Sequence, residues 1–121
     1  MKKIIIILCC ILLLGVTGCT KEENEEPKET RDQMIERVLQ EGNYVIVDVR
    51  TKEEYETAHI KGAINIPYDE IDENTDLPKE KTIFVYCKSG TRSGYAYDNL
   101  TKLGYEVIIL GAFDAIDMEK E

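Results

Sequence analysis

From residue 30 onward, apolar positions fall into short runs of alternating character. Met34, Ile35, Val38 and Leu39 recur at the three- and four-residue spacing of one helical face. Thr30 and Gln33 precede them in capping-box register and Gly42 follows, so a helix is predicted to begin near residue 31 and stop at Gly42. Tyr44 to Val47 is a continuous β-branched and aromatic run, the pattern of a strand buried on both faces. It delivers Asp48, Val49 and Arg50 to its carboxyl end. Thr51 and Glu54 repeat the capping-box register for a second, short helix. Further strands are predicted over 63–66, 82–86 and 107–110, with a helix over 93–103 closed by Gly104. Strands alternating with helices argue for an α/β fold, a small parallel sheet with helices on both faces. Ligands of such sheets bind beyond the carboxyl ends of the strands, which is where Cys87 falls.

The first 30 residues have a different character. Lys2 and Lys3 precede an apolar run from Ile4 to Val16, the charged and hydrophobic regions of a secretory signal. The run is shorter than the roughly 20 apolar residues a spanning helix needs. It ends in Val16-Thr17-Gly18-Cys19, which resembles a bacterial lipobox. That resemblance implies a signal peptide over 1–18, an acylated Cys19 (palmitate among its chains), and a lipoprotein held at the bacterial cell membrane, facing outside the cytoplasm. Several acyl chains anchor firmly where one binds marginally. The competing reading is an uncleaved anchor with an incidental cysteine. Residues 19–30 carry Glu22, Glu23, Glu25, Glu26 and Glu29 against Lys21 and Lys28, with Pro27 and no apolar residue to bury, and read as a solvated acidic tether. Thr20, next to the acylated position, gives no clear sorting instruction.

At 121 residues and 43% apolar content, the chain has room for one globular domain, placed at 31–121. A formal charge of −9 repels polyphosphate backbones, and no basic patch offsets it, so nucleic acid is set aside. Of the four cysteines, Cys9, Cys10 and Cys19 belong to the leader and its end. Only Cys87 lies in the domain, so no internal disulfide framework is proposed. One cysteine and one histidine cannot make a tetrahedral site, so no metal is predicted, and no cofactor is called for.

Cys87, Lys88, Ser89, Gly90, Thr91, Arg92 and Ser93 run from a strand end into a helix start. Successive backbone N–H groups there can curl around an anion at the positive end of the helix, and Gly90 permits the tight curl. The amides, the helix dipole, Lys88 and Arg92 all favour thiolate over thiol, and thiolate is the form that attacks sulfur. A buried, inert cysteine is the alternative, and the polar residues around Cys87 weigh against it.

Asp48-Val49-Arg50, Glu54-Tyr55, His59-Ile60-Lys61-Gly62-Ala63-Ile64-Asn65-Ile66-Pro67 and the Cys87 to Ser93 loop, in that order, resemble a single-domain rhodanese. The resemblance spans residues 31 to about 112. It implies a sulfurtransferase in which Cys87 carries a persulfide, loop amides from Lys88 to Ser93 hold the anionic sulfur, and Arg92 braces the loop or meets the substrate. Lys88 adds charge for an anionic donor. The implied partners are a small sulfur-donor anion such as thiosulfate and a thiol or cyanide acceptor. The sequence departs from the family pattern twice. Ala58 stands where glycine often precedes the histidine, and Gly111-Ala112-Phe113 replaces a double glycine followed later by a tryptophan.

The other chemistry-bearing residues read as supporting ones. His59 pins the loop before the next strand, and Asp48 with Arg50 ties strand to helix more readily than it orients a substrate. Tyr95, Tyr97 and Tyr105 read as core or surface packing. Two other functions stay open. A phosphatase or arsenate reductase of the cysteine-loop type needs a wider cradle. Four residues separate Cys87 from Arg92 here, whereas the cysteine phosphatases place five, and the shorter loop suits a sulfur atom better than a tetrahedral oxyanion. A non-catalytic or redox-sensing rhodanese-like module is the other. A lone activated thiol without a resolving cysteine in its domain calls for a thiol-redox partner protein.

Overall fold

The computed structural model describes residues 27–121; the expected signal peptide, the expected acylation at Cys19 and most of the expected tether lie outside the described residues. Helix α1 spans Arg31–Glu41, and its capping box is complete: the Thr30 hydroxyl accepts from the Gln33 amide while the Gln33 side chain accepts from the Thr30 amide. Such a cap contributes about 1 kcal/mol. Strand β1 (Tyr44–Asp48) follows, then helix α2 (Lys52–Thr57), which opens on a second capping box between Thr51 and Glu54. Strand β2 (Ile64–Asn65), a 3-10 turn at Tyr68–Glu70, strand β3 (Thr82–Cys87), helix α3 (Thr91–Lys102) and strand β4 (Glu106–Ala112) complete the order, with a last 3-10 turn at Phe113–Ala115.

The four strands form one sheet in the order β2-β1-β3-β4, every pair parallel. Side chains alternate across it. Val47, Ile83, Val85 and Cys87 face a core closed by Ala96 and Leu100 of α3. Ile46, Phe84, Tyr86, Ile108 and Leu110 face a second core closed by Met34, Ile35, Val38 and Leu39 of α1. The period of two in β3 therefore sends Tyr86 and Cys87 to opposite faces, and a one-residue slip would exchange them.

Strands β1 and β3 each run one residue further than predicted, to Asp48 and Cys87, and three other elements shift with a visible cause. Helix α3 begins at Thr91, two residues before the predicted start, because Gly90 takes φ 107° and serves as its N-cap. Strand β2 is only two residues long, since the chain bends away at Pro67 after the Ile66 amide has bonded the Asp48 carbonyl. Strand β4 runs on to Ala112 through a bulge, where Tyr86 pairs with Gly111 and Leu110 is skipped. Gly111 has φ 123°, which a residue with a side chain rarely adopts.

The carboxyl-terminal packing, which the sequence left open, is built by other residues. Phe113 stacks on Tyr86 with ring centres 5.8 Å apart. Residues 119–121 are sewn to the His59 loop: the His59 amide donates to the Glu121 carbonyl, the Glu121 amide donates back, and the Lys61 amide donates to the Glu119 carbonyl.

Candidate active site at the cysteine loop

Cys87 is the last residue of β3 and is fully buried. The Gly90 amide donates to its Sγ at 2.9 Å and the Ser93 amide at 3.3 Å. Lys88 and Thr91 form no hydrogen bond with the sulfur, so the cradle is narrower than the whole predicted loop. Gly90 has no side chain to cap α3, and the amide of Ser93, third residue of the helix, would otherwise lack a partner. The sulfur takes the place of the missing cap, so cradle and helix start are one structure.

The Ser93 hydroxyl lies 3.4 Å from Sγ and 3.0 Å from the Gly90 carbonyl: it accepts from the protonated thiol while donating to that carbonyl, and a rotation of its one proton toward the sulfur lets it donate to the thiolate. Burial pushes the thiol's pKa up, but the Ser93 hydroxyl and the amides of Ser93, Gly90 and Ser89 outweigh it and hold the pKa below the ordinary 9.0. Ser93→Ala keeps the amide and loses the hydroxyl. The pH midpoint for alkylation of Cys87 by iodoacetamide is expected to move upward in that variant, toward the ordinary thiol value. An unchanged midpoint would show that the amides alone set the acidity.

Arg92 does not reach out from the loop. Its guanidinium grips Glu54 with two bonds, Nη1 to Oε1 at 2.6 Å and Nη2 to Oε2 at 3.2 Å, both side chains about a quarter exposed. Glu54 is the same residue that closes the α2 capping box, accepting from the Thr51 amide and hydroxyl. Arg92 first, then the Thr51 bonds, hold its carboxyl down at about 2 against the opposing effect of burial. Local pattern assigned Glu54 a capping role and a place in the resemblance, but no partner in the cysteine loop. The second role depends on α2 lying beside the start of α3, which local pattern does not reveal.

Asp48 and Arg50 form a buried pair, with Arg50 Nε bonding both carboxylate oxygens and Nη2 bonding Oδ2 at 2.6 Å. Nη2 also donates to the Ala58 carbonyl at the end of α2. The Tyr86 hydroxyl donates to Asp48 at 2.8 Å and accepts from the Ile60 amide at 3.0 Å. The Arg50 guanidinium carbon stands 4.2 Å from the centre of the Phe113 ring. Asn65 Nδ2 donates to the Asp48 and Arg50 carbonyls. This network ties β1, α2, the His59 loop and β3 together from the face opposite Cys87. Tyr86, Asn65 and Phe113 were missed as its members. The only sequence signal for Tyr86 was its place beside the cysteine on a buried strand.

His59 stacks on Tyr55 at 3.8 Å, and its Nδ1 sits 2.8 Å from the Tyr55 carbonyl, away from the cysteine loop. Tyr95 and Tyr97 are exposed on α3, while Tyr105 is buried beyond the helix and bonds the Leu77 amide and the Thr75 carbonyl. The depression flanking the loop is lined by Arg50, Glu54, Thr57, Ala58, Lys88, Phe113 and Asp114. Lys88 follows the cysteine, and Phe113 follows Ala112, the partner of Cys87 in β4, which sets this depression at the loop's edge.

A four-stranded parallel sheet ends its third strand in a buried cysteine with the Gly90 and Ser93 amides turned onto its sulfur, an arrangement that favours the ionised form of that cysteine. The chain belongs to the rhodanese family: the profile of the rhodanese-like domain matches residues 30–118. It is 45% identical over 62 residues to the thiosulfate sulfurtransferase PspE of Escherichia coli K12, covering 49% of this chain and 60% of that protein. It is 33% identical over 104 residues to the putative sulfur carrier protein YrkF of Bacillus subtilis, covering 85% of this chain and 56% of that protein. The chain thus spans less than two thirds of the length of these curated relatives. A solved rhodanese with anions from E. coli superposes with a TM-score of 0.59 at 38% identity, over 64% of this chain and 96% of that one. The BH2092 protein of Bacillus halodurans superposes with a TM-score of 0.58 at 33% identity, over 69% and 64% respectively.

Proposed function

We propose that this protein is a rhodanese-type sulfurtransferase that moves a sulfane sulfur from a donor such as thiosulfate, through a Cys87 persulfide, to a thiophilic acceptor. The observation that carries the reading is the convergence of the Gly90 and Ser93 amides on Cys87 Sγ. With thiosulfate, the Cys87 thiolate attacks the outer sulfur, the sulfur–sulfur bond of the donor breaks, and sulfite leaves with the bonding pair. The negative charge then rests on the outer sulfur of the persulfide. The acceptor, cyanide or a thiolate, attacks that outer sulfur, and the Cys87 thiolate returns as leaving group. The cradle donors favour the thiolate at the start and end of the cycle and cost no reorganisation.

Intact mass of residues 20–121 tests this, since Cys87 is the sole cysteine of that segment. Incubation with thiosulfate is expected to add one sulfur atom, and cyanide to remove it with stoichiometric thiocyanate. No gain from thiosulfate or from a polysulfide donor would turn the reading toward a partner-binding module.

The proposal extends to location: a lipoprotein tethered outside the cytoplasm through acylated Cys19. The lipobox-like Val16 to Cys19 and the acidic stretch to residue 30 support it. Cys19→Ser is expected to abolish incorporation of labelled palmitate and release the protein from the membrane fraction. Persistence of both labelling and sedimentation would sink the lipoprotein reading.

A further inference from the structure

Three large apolar side chains stand exposed among the described residues, Ile64, Tyr95 and Tyr97, and two of them ride on α3, the helix that starts at the cysteine loop. Tyr95 is the most open at 58%, yet its ring is held: it stacks on Tyr68 with centres 6.0 Å apart, and the Tyr68 amide is tied to the Val49 carbonyl. Thr91, Gly94, Tyr95, Tyr97 and Asp98 line one shallow depression along the outside of the helix. Gly94 is the member that the fold does not account for. Its φ is not positive, and a methyl group there would touch nothing within 4 Å beyond its chain neighbours and the helix's own backbone. Neither conformation nor internal packing asks for glycine, which weakens a helix relative to alanine. What Gly94 supplies is bare backbone in the depression, where another chain can come close.

Charge on this flank is of one sign. Asp98 on the helix, and Asp69 and Glu70 beside Tyr68, are exposed and enter none of the ion pairs among the described residues. Of the two cations on α3, Arg92 is held by Glu54, and Lys102 lies at the far end. Lys88 lines the separate depression that holds Phe113. An aromatic pair bordered by unpaired carboxylates suits a guanidinium or ammonium group, drawn by the ring faces and by the acids alike. The same acids repel an anionic lipid surface. From Thr91 to Asp98 the helix rises about 10 Å, which an extended chain covers in about three residues.

We propose that this face of α3, with the Tyr68–Glu70 turn, docks an extended, basic segment of a partner protein, its cation at Tyr95 and Asp98 and its thiol at the cysteine loop. What that thiol does there rests on the sulfurtransferase reading. As thiolate it attacks the outer sulfur of the protonated Cys87 persulfide, and the sulfur–sulfur bond breaks. Cys87 leaves with the bonding pair as thiolate, and the partner departs as R–S–SH, with no net oxidation or reduction.

The test uses the full chain in a nonionic detergent and two dye-labelled peptides, Cys-Gly-Gly-Arg-Gly-Arg and Cys-Gly-Gly-Glu-Gly-Glu, with serine in place of the cysteine where binding alone is read. Fluorescence anisotropy at about 20 mM salt is expected to show the basic peptide bound about tenfold more tightly or better. The gap should shrink at about 500 mM, where the screening length falls from roughly 20 Å to a few Å. Gly94→Ala is expected to raise the unfolding midpoint, to weaken the basic peptide about tenfold, and to leave thiocyanate formation from thiosulfate and cyanide unchanged. Asp98→Lys should weaken the same peptide without the gain in stability. Equal binding of the two peptides, or a Gly94→Ala protein that binds the basic one as the native protein does, would overturn the docking surface, while cyanide turnover in the same preparations would leave sulfur transfer standing. Absence of that turnover would overturn sulfur transfer, and the docking surface would still stand or fall on the anisotropy alone.

Discussion

Cys87→Ser is expected to fold with an unfolding midpoint close to that of the native protein and to lose sulfur transfer altogether. Serine is nearly isosteric, and its hydroxyl oxygen can accept the same Gly90 and Ser93 amides that meet Sγ at 2.9 and 3.3 Å. The start of α3 therefore keeps its cap. The chemistry does not survive, because a hydroxyl is not ionised near neutral pH even in this cradle and cannot hold a transferable sulfur. Removing a nucleophile typically costs on the order of 10⁴–10⁶ in turnover. Mass spectrometry should show no sulfur adduct at any donor concentration, and thiocyanate release should fall to the uncatalysed rate. Retained turnover would mean that the cradle acts on donor and acceptor directly, with no persulfide on the protein.

The second large effect is expected on stability, from the opposite face of the sheet. Asp48 is fully inaccessible and Arg50 is 5% exposed, so Asp48→Ala leaves a buried guanidinium with the Ala58 carbonyl as its only remaining hydrogen-bond partner among the described residues, and leaves the Tyr86 hydroxyl without its acceptor. Breaking a buried pair from one side costs about 3–5 kcal/mol, a large part of the roughly 5–15 kcal/mol that holds a domain of this size together. Urea unfolding should report that loss. Asp48→Asn should cost less, because an amide oxygen in the place of Oδ2 still accepts from Tyr86 and Arg50 Nη2, while the NH2 in the place of Oδ1 loses the bonds from the Arg50 amide and Nε. A loss below about 1 kcal/mol in Asp48→Ala would show that Arg50 finds water or another acceptor, and that the network is not the tie between β1 and the His59 loop.

These two sites show how differently the chain declares itself. Strands and helices were readable because their signals are local: a capping box needs residues three apart, and a buried parallel strand is a run of β-branched residues. Both boxes, at Thr30 and Thr51, occur where the spacing put them. The boundary errors came from backbone conformations that sequence marks only weakly. At Gly90 and Gly111, positive φ moved a helix start and lengthened a strand.

The sequence by itself determined the fold class, the family resemblance, and the place of Cys87 at the end of a strand before a helix, since each rests on local order along the chain. Only the tertiary structure decided where the charges of the loop go. Arg92 and Glu54 are 38 residues apart, as are Tyr86 and Asp48, and nothing in the local pattern couples positions at that distance. The parallel sheet does so by setting β3 beside β1, which lays α2 along the cysteine loop and puts Tyr86 and Asp48 on one face. A residue's spacing says which element it rides on; its partner depends on which elements the sheet makes neighbours.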